Sequence, residues 1–386
     1  MIVSKIRVIS ERDTEKFAWS ALSNFHNVSF GQEAISQAHN LQKSQASNSK
    51  KQAEQLRFCL LQAREYFKAA RTVTSASKPT LLYYGVMSLA LAQMLLAGDG
   101  EYSLDFARGQ HAHHGLDFRM NGAPSASLAI EQSASSLRAV PLLKKGNERF
   151  GTFELWHRIS RESPMAGKQN SHLANGAGTQ ETIAIAVGRD ERMPLVPEQG
   201  HSLLHCFQYV PAMRDLLISK GVPTGLGRGV IVLDHHEVSK TICSQFIIHP
   251  GEGQLQRKVY DGFIYEPRAY EELEIIEVPR GCIIMQRWAD DSRPASVSYP
   301  NSFQHQESEI FFCSDNAALN EFGILYFGIF ILGNYARYYP DYWMRDVELS
   351  SALAVSSERF MDIVEARAPL LTASVLDRVY YLTNSA

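Results

Sequence analysis

Arg108 stands five and six residues ahead of His113 and His114, inside Ala107-Arg108-Gly109-Gln110-His111-Ala112-His113-His114-Gly115. Cleaving RNA without a metal needs an imidazole to move the 2'-hydroxyl proton or protonate the leaving oxygen. It also needs a guanidinium to offset the charge that builds on the phosphorane. Arg108, with His113 or His114, supplies both groups, so these three are the candidate catalytic residues. The competing reading places them in surface or capping roles.

The second candidate surface is Asn334–Arg345, which holds five aromatic residues and two arginines in twelve positions. Arg337, Tyr342, Trp343 and Arg345 could hold a ligand or a partner protein, rings stacking and guanidinium groups meeting phosphate. Equally, the rings could anchor one helix to the next across Pro340.

Histidine pairs raise the question of metal. His111 with His113, His201 with His205, and Asp234-His235-His236-Glu237 are the places to look, and none fits H-E-x-x-H. No metal and no cofactor is expected. Gly221-Val-Pro-Thr-Gly225-Leu-Gly227-Arg-Gly229 has the look of a phosphate loop. A strand-like Val230-Ile-Val-Leu-Asp234 comes after it instead of a helix, so it reads as a flexible or hairpin-like connection.

These groups must be positioned by the elements around them. Over Lys51–Val73, Leu56, Leu60, Ala63, Phe67 and Ala70 recur on one helical face. Beside them lie Arg57, Arg64, Lys68 and Arg71, in a stretch from Lys43 to Lys78 with eight Lys/Arg against two Glu. This stripe is a candidate track for nucleic acid, or else a solvated face whose long stems cover apolar surface. Thr80–Ala97 is the most apolar run; Pro79 before it and Gly98 after it mark a buried core helix rather than a membrane span.

Gly98 to Gly200 is loop-rich, with short helices expected over Leu128–Leu137 and Phe153–Ser160. Strands are expected at Gly229–Asp234, Ser244–His249 and Leu273–Pro279, and the alternating N-terminus also reads as a strand. Further helices are expected over Leu319–Tyr335, Val347–Arg367 and Leu370–Leu382. The fold class is therefore mainly α with a central β-containing segment. Four regions are expected: 1–120 with an N-terminal strand and helices, 121–220 loop-rich, 221–313 β-rich, and 314–386 helical and packing back on the first.

The chain has 386 residues, 38 Lys+Arg against 41 Asp+Glu and a formal charge of -3, so a polyanion would have to be met by a local patch. Its five cysteines are scattered without a C-x-x-C, which argues for a reducing, cytoplasmic setting.

Ala69-Ala-Arg71, Ser77-Lys-Pro79-Thr-Leu-Leu-Tyr83-Tyr84-Gly85, His114-Gly115-Leu116, Gly151-Thr-Phe153 and Ala336-Arg337-Tyr338 leading to Pro340 and Trp343 resemble the YaaC-like bacterial proteins. That resemblance implies a fold, not an activity. A looser similarity is to HEPN domains, where a basic amphipathic helix precedes a Tyr-Tyr-containing apolar helix and an R-x4-6-H motif. It implies a HEPN-like bundle in the N-terminal half, RNA as partner, and a homodimer that completes a composite site; phage defence, stress response and housekeeping are equally open as its setting. Gly109 and Gly115 depart from that pattern. The expectation is a metal-independent RNA-acting protein; the alternative is a non-catalytic scaffold or ligand-binding subunit of a bacterial complex.

Overall fold

The computed structural model describes residues 5–9, 13–98, 102–122, 126–144, 146–161, 165–172, 179–186, 193, 195–236, 241–248, 272–278, 281–287, 302–306, 309–313 and 319–383. Over 165–186 and 227–313 only strand pairing is described. The protein is mainly α with a β-containing segment between its helical parts.

The N-terminal helices are α1 (Thr14–Ser23), α2 (Val28–His39), α3 (Ala46–Thr72), α4 (Lys78–Ala97) and α5 (Leu104–His111). Asp13 and Asn27 cap α1 and α2 by accepting from early backbone N–H groups. The stripe on α3 is buried as its period requires: Leu56, Leu60, Ala63, Phe67 and Ala70 are all in the core. It packs on α4. A Cβ at Gly85 would stand 2.7 Å from the Phe67 ring, so the absent side chain is what lets the two helices approach this closely. By length and composition α4 could cross a membrane, yet 72% of its most apolar window is buried inside the fold.

Helix α6 (Ile130–Ser136) and helix α7 (Thr152–Ile159) occupy the two short helical stretches expected there. Strands β2 (Leu116–Met120), β3 (Leu137–Pro141) and β6 (His201–Ser202) form a small antiparallel sheet, followed by α8 (Leu203–Gln208) and α9 (Arg214–Ser219). A ten-stranded sheet gathers β1 (Lys5–Ile9), β4 (Met165–His172), β5 (Thr179–Ala186), β7 (Leu226–His236), β8 (Thr241–Ile248), β9 (Glu272–Val278), β10 (Gly281–Arg287), β11 (Ser302–Gln306), β12 (Glu309–Cys313) and β13 (Val379–Thr383). Its first strand, β1, lies parallel to its last, β13, and so ties the two ends of the chain together.

The C-terminal helices are α10 (Glu321–Tyr338), α11 (Pro340–Glu348) and α12 (Ala352–Asp377). Here the expected break near residue 368 is corrected. Helix α12 runs through Pro369, which is buried with Ala368 and Leu370, and the strand β13 succeeds it in place of more helix. Burial on both sides of Pro369 outweighs the one backbone hydrogen bond it cannot make. These helices pack back on α1 and α4. Thr80 Oγ1 donates to the Gly333 carbonyl at 3.3 Å, Gln93 Nε2 to Thr372 Oγ1 at 2.9 Å, and Trp156 Nε1 to Gln93 Oε1 at 2.8 Å. Buried Glu321 accepts two 2.7 Å bonds from Arg367, joining α10 to α12. Burial works against the Arg367 charge, and Glu321 outweighs it, raising the Arg367 pKa.

Candidate functional site

Tyr83 and Tyr84 are consecutive on α4, so their side chains diverge by about 100° around the helix. Tyr83 is buried, edge-on to Tyr326 and Phe330 of α10, while Tyr84 is half-buried and stacks on Tyr66 of α3 at 5.7 Å. The loop after α5 brings a histidine to this pair. The Tyr83 hydroxyl and Nδ1 of His114 share a 2.7 Å hydrogen bond.

That loop is held by the start of α7. The Thr152 N–H donates to the His113 carbonyl at 2.8 Å and the Phe153 N–H to the His114 carbonyl at 3.1 Å, so the loop satisfies two of the helix's orphan donors. Gly115 and Gly151 have φ of +86° and +104°, and a Cβ on Gly151 would fall 2.3 Å from the Gly115 Cα. Only glycine serves at both positions, because the backbone is left-handed and the two chain segments touch. Gly115 ends the stretch after α5 and sets the angle at which His114 enters.

From the other side comes Arg337, in the last turn of α10. Its Nη1 donates to the Tyr84 hydroxyl at 3.0 Å, and its guanidinium lies 5.1 Å from the ring centre of exposed Tyr338. Burial above all, then the positive Arg337 and neighbouring His113, hold His114 below the ordinary imidazole pKa, so it is neutral at pH 7. Burial, with Tyr326 and Tyr84 adding to it, pushes the Tyr83 phenol well up, so it stays protonated. Among the described residues His114 Nε2 has no protein partner. The arrangement is a neutral imidazole with one nitrogen fixed and one open, beside a guanidinium, with stacked tyrosine rings at the rim.

Arg108 does not share this cluster. It is exposed on α5, and among the described residues its partner is Asp105, at 2.7 Å one turn earlier. Asp105 is in turn bound to Lys51 and Gln55 of α3. His113 is exposed and meets the Phe150 ring edge-on at 5.0 Å. The guanidinium that bears electrostatically on His114 is Arg337, and it comes from the other end of the chain.

The basic stripe divides in two. Arg71 pairs with Glu15 and, at 3.5 Å, with Glu365, and Lys68 pairs with Glu65 at 3.1 Å, whereas Arg57 and Arg64 form no ion pair among the described residues. The C-terminal group divides as well. Tyr342 and Arg345 are exposed on α11. Trp343 is fully buried, with its Nε1 donating to the Ser75 carbonyl at 2.8 Å, so its side chain packs α11 onto the α3–α4 turn and is not offered to a partner.

His201 sits on β6 and His205 on α8, where Ser202 caps the helix. Their rings stack at 4.0 Å with 9° between planes, and His205 also lies 4.3 Å from Tyr209. Burial, and after it Arg138, lowers His201 to about 4; burial, His201 and Arg138 lower His205 to about 3. No group of three or more His, Cys, Asp or Glu able to hold a metal occurs among the described residues. Asp234 and His235 lie on β7, where only backbone pairing is described; Glu237 and the His111 side chain lie outside the described residues.

The tyrosine pair was legible only as a piece of a family pattern, and Arg337 only as a ligand or partner contact remote from His114. The signal that would have placed the tyrosines in the site is their adjacency on an otherwise apolar helix, since adjacent positions cannot both face the same core.

No curated protein and no solved structure matches the chain. Residues 23–132, which run from the end of α1 through Tyr83, Tyr84, Arg108 and His114 to the start of α6, match the family described as YaaC-like Protein, and over that stretch the chain is similar to this family.

Proposed function

We propose that the protein acts on RNA without a metal, using the cluster of Tyr83, Tyr84, His114 and Arg337 as its reactive site within a HEPN-like helical bundle. The observation that carries this reading is the neutral His114, held by Tyr83 through Nδ1, with Arg337 beside it. A neutral imidazole is the form that can accept the 2'-hydroxyl proton. With Nδ1–H donating to the Tyr83 oxygen, Nε2 takes that proton, the 2'-oxygen attacks the adjacent phosphorus and Arg337 offsets the charge on the phosphorane. The bond from phosphorus to the 5'-oxygen then breaks as the imidazolium returns its proton to that oxygen, leaving a 2',3'-cyclic phosphate and a 5'-hydroxyl. Tyr66, Tyr84 and Tyr338 offer ring faces for unstacked bases. Arg57 and Arg64, without an acidic partner among the described residues, draw the strand in.

On this reading the protein is cytoplasmic, and a homodimer would let the exposed Arg108 of one copy reach the His113 or His114 of another. The test is incubation of the purified protein with mixed single-stranded RNA in EDTA, beside His114→Ala, Arg337→Gln and Arg108→Ala variants of verified fold. Cleavage by the wild type that is lost in His114→Ala and reduced about 100-fold or more in Arg337→Gln is the expected result. Loss in Arg108→Ala with retention in Arg337→Gln would instead move the site to the α5 surface and a composite dimer. No cleavage by the wild type counts against the catalytic reading.

A second reading is a non-catalytic scaffold that holds a partner protein. Phe58 and Phe106 favour it, being 62% and 75% exposed on α3 and α5, two helices joined through the Gln55–Asp105 hydrogen bond. Phe58→Ser/Phe106→Ser abolishing partner capture, with His114→Ala leaving it intact, would support that role.

A further inference from the structure

We propose that the cleft between α1 and α3 is a binding site for a compact phosphate anion of the di- or triphosphate kind. This goes beyond the RNA reading; it involves none of the four residues of the His114 cluster and, of the two arginines that draw the strand in, shares only Arg64.

The cleft is a half-open recess of about 500 Å³, ample for a small polyanion. Its walls carry Lys16 from α1 and Arg64, Lys68 and Arg71 from α3, and its floor includes Trp19 and Phe67, whose rings meet edge-on at 5.4 Å. Two acidic residues also line it, and both are already engaged. Asp13 accepts the Lys16 backbone N–H at 2.9 Å as the cap of α1, and Glu15 is paired with Arg71. Lys68 is engaged by Glu65.

Lys16 and Arg64 are left over. Among the described residues neither has an acidic partner, and they face one cleft from two helices. Arg64 is also half-buried, where an unpaired charge is costlier than at the open surface. Arg64 also bears on nearby His26, whose pKa burial first, then Arg64 and Arg57, lower. A half-buried cation is normally paired and Arg64 is not, while Lys16 stands exposed at the same cleft. Two such cations over an aromatic floor form a cradle for an anion with several oxygens spread over a few ångströms, and a di- or triphosphate group matches that shape and charge.

The experiment is calorimetric titration of the full chain with tripolyphosphate in EDTA-containing, low-salt buffer, and in parallel with a short single-stranded RNA lacking a terminal phosphate. Variants are Lys16→Gln/Arg64→Gln and, as a control at the other site, Arg337→Gln, each checked for an unchanged unfolding midpoint. Expected is saturable one-to-one binding of tripolyphosphate, weakened about tenfold or more in Lys16→Gln/Arg64→Gln and unchanged in Arg337→Gln. No binding by the wild type, equal binding by the double variant, or loss confined to Arg337→Gln would each overturn the proposal. So would binding of the RNA alone, which would make the cleft part of a strand track.

Discussion

Nδ1 of His114 lies 2.7 Å from the Tyr83 hydroxyl, although one residue sits on a loop after α5 and the other inside the most apolar helix of the N-terminal half. The contact turns a half-buried histidine into an oriented one, because a ring with one nitrogen fixed can present only the other outward. Arg337 then adds positive charge without competing for the same nitrogen, since its hydrogen bond goes to Tyr84.

Replacing that guanidinium gives the first prediction. Arg337→Gln removes a positive neighbour that disfavours the imidazolium, so the His114 pKa should rise while remaining under the ordinary value near 6.5, because burial, the larger cause, is untouched. Titration of the His114 ring protons by NMR measures this directly. A fall, or no change, would mean that Arg337 does not act on His114.

Glu321 and Arg367 form the best-buried ion pair described, with the Glu321 side chain fully buried and that of Arg367 12% exposed. Arg367→Leu leaves a carboxylate buried without its counter-charge, and the expected loss is about 3–5 kcal/mol of unfolding free energy. Glu321→Gln/Arg367→Met should recover a large part of it. Urea denaturation of the three proteins decides the point, and additive losses in the double variant would contradict it.

Trp343 and Tyr342 are neighbours with opposite surroundings. Trp343→Ala empties a buried volume and orphans the Ser75 carbonyl, so it should cost about 3–5 kcal/mol. Tyr342→Ala, at an exposed position on α11, should stay within about 0.5 kcal/mol of wild type. Partner binding lost on Trp343→Ala alone would then report unfolding, whereas loss on Tyr342→Ala would report a contact.

The stacked His201 and His205 predict acid sensitivity. Their folded pKa values are lowered to about 4 and about 3, and their Nε2 atoms are buried without a hydrogen-bond partner among the described residues. An unfolded chain takes up protons at these positions below about pH 6.5, while the native state resists until far lower pH. The unfolded state therefore binds more protons across that window, and stability falls as pH drops from about 6.5 towards 4. His205→Phe, which keeps a ring in the stack, should flatten the slope of unfolding free energy against pH. An unchanged slope would place the sensitivity elsewhere.

Local order is what the sequence determined by itself. The period of Leu56, Leu60, Ala63, Phe67 and Ala70 specifies the buried face of α3, and Pro79 and Gly98 bracket α4, since these signals act within one or two helical turns. The alternating N-terminus and the runs near 230, 245 and 275 likewise become strands. Tertiary packing alone decided which groups meet. Arg108 is near His114 in sequence, but its guanidinium pairs with Asp105, whereas Arg337, 253 positions beyond Tyr84, is bound to that tyrosine beside His114. The uninterrupted course of α12 through Pro369 has the same origin. Proximity along the chain fixes helix phase over a few residues; which helix faces which histidine depends on the burial of whole elements, and no spacing rule encodes that.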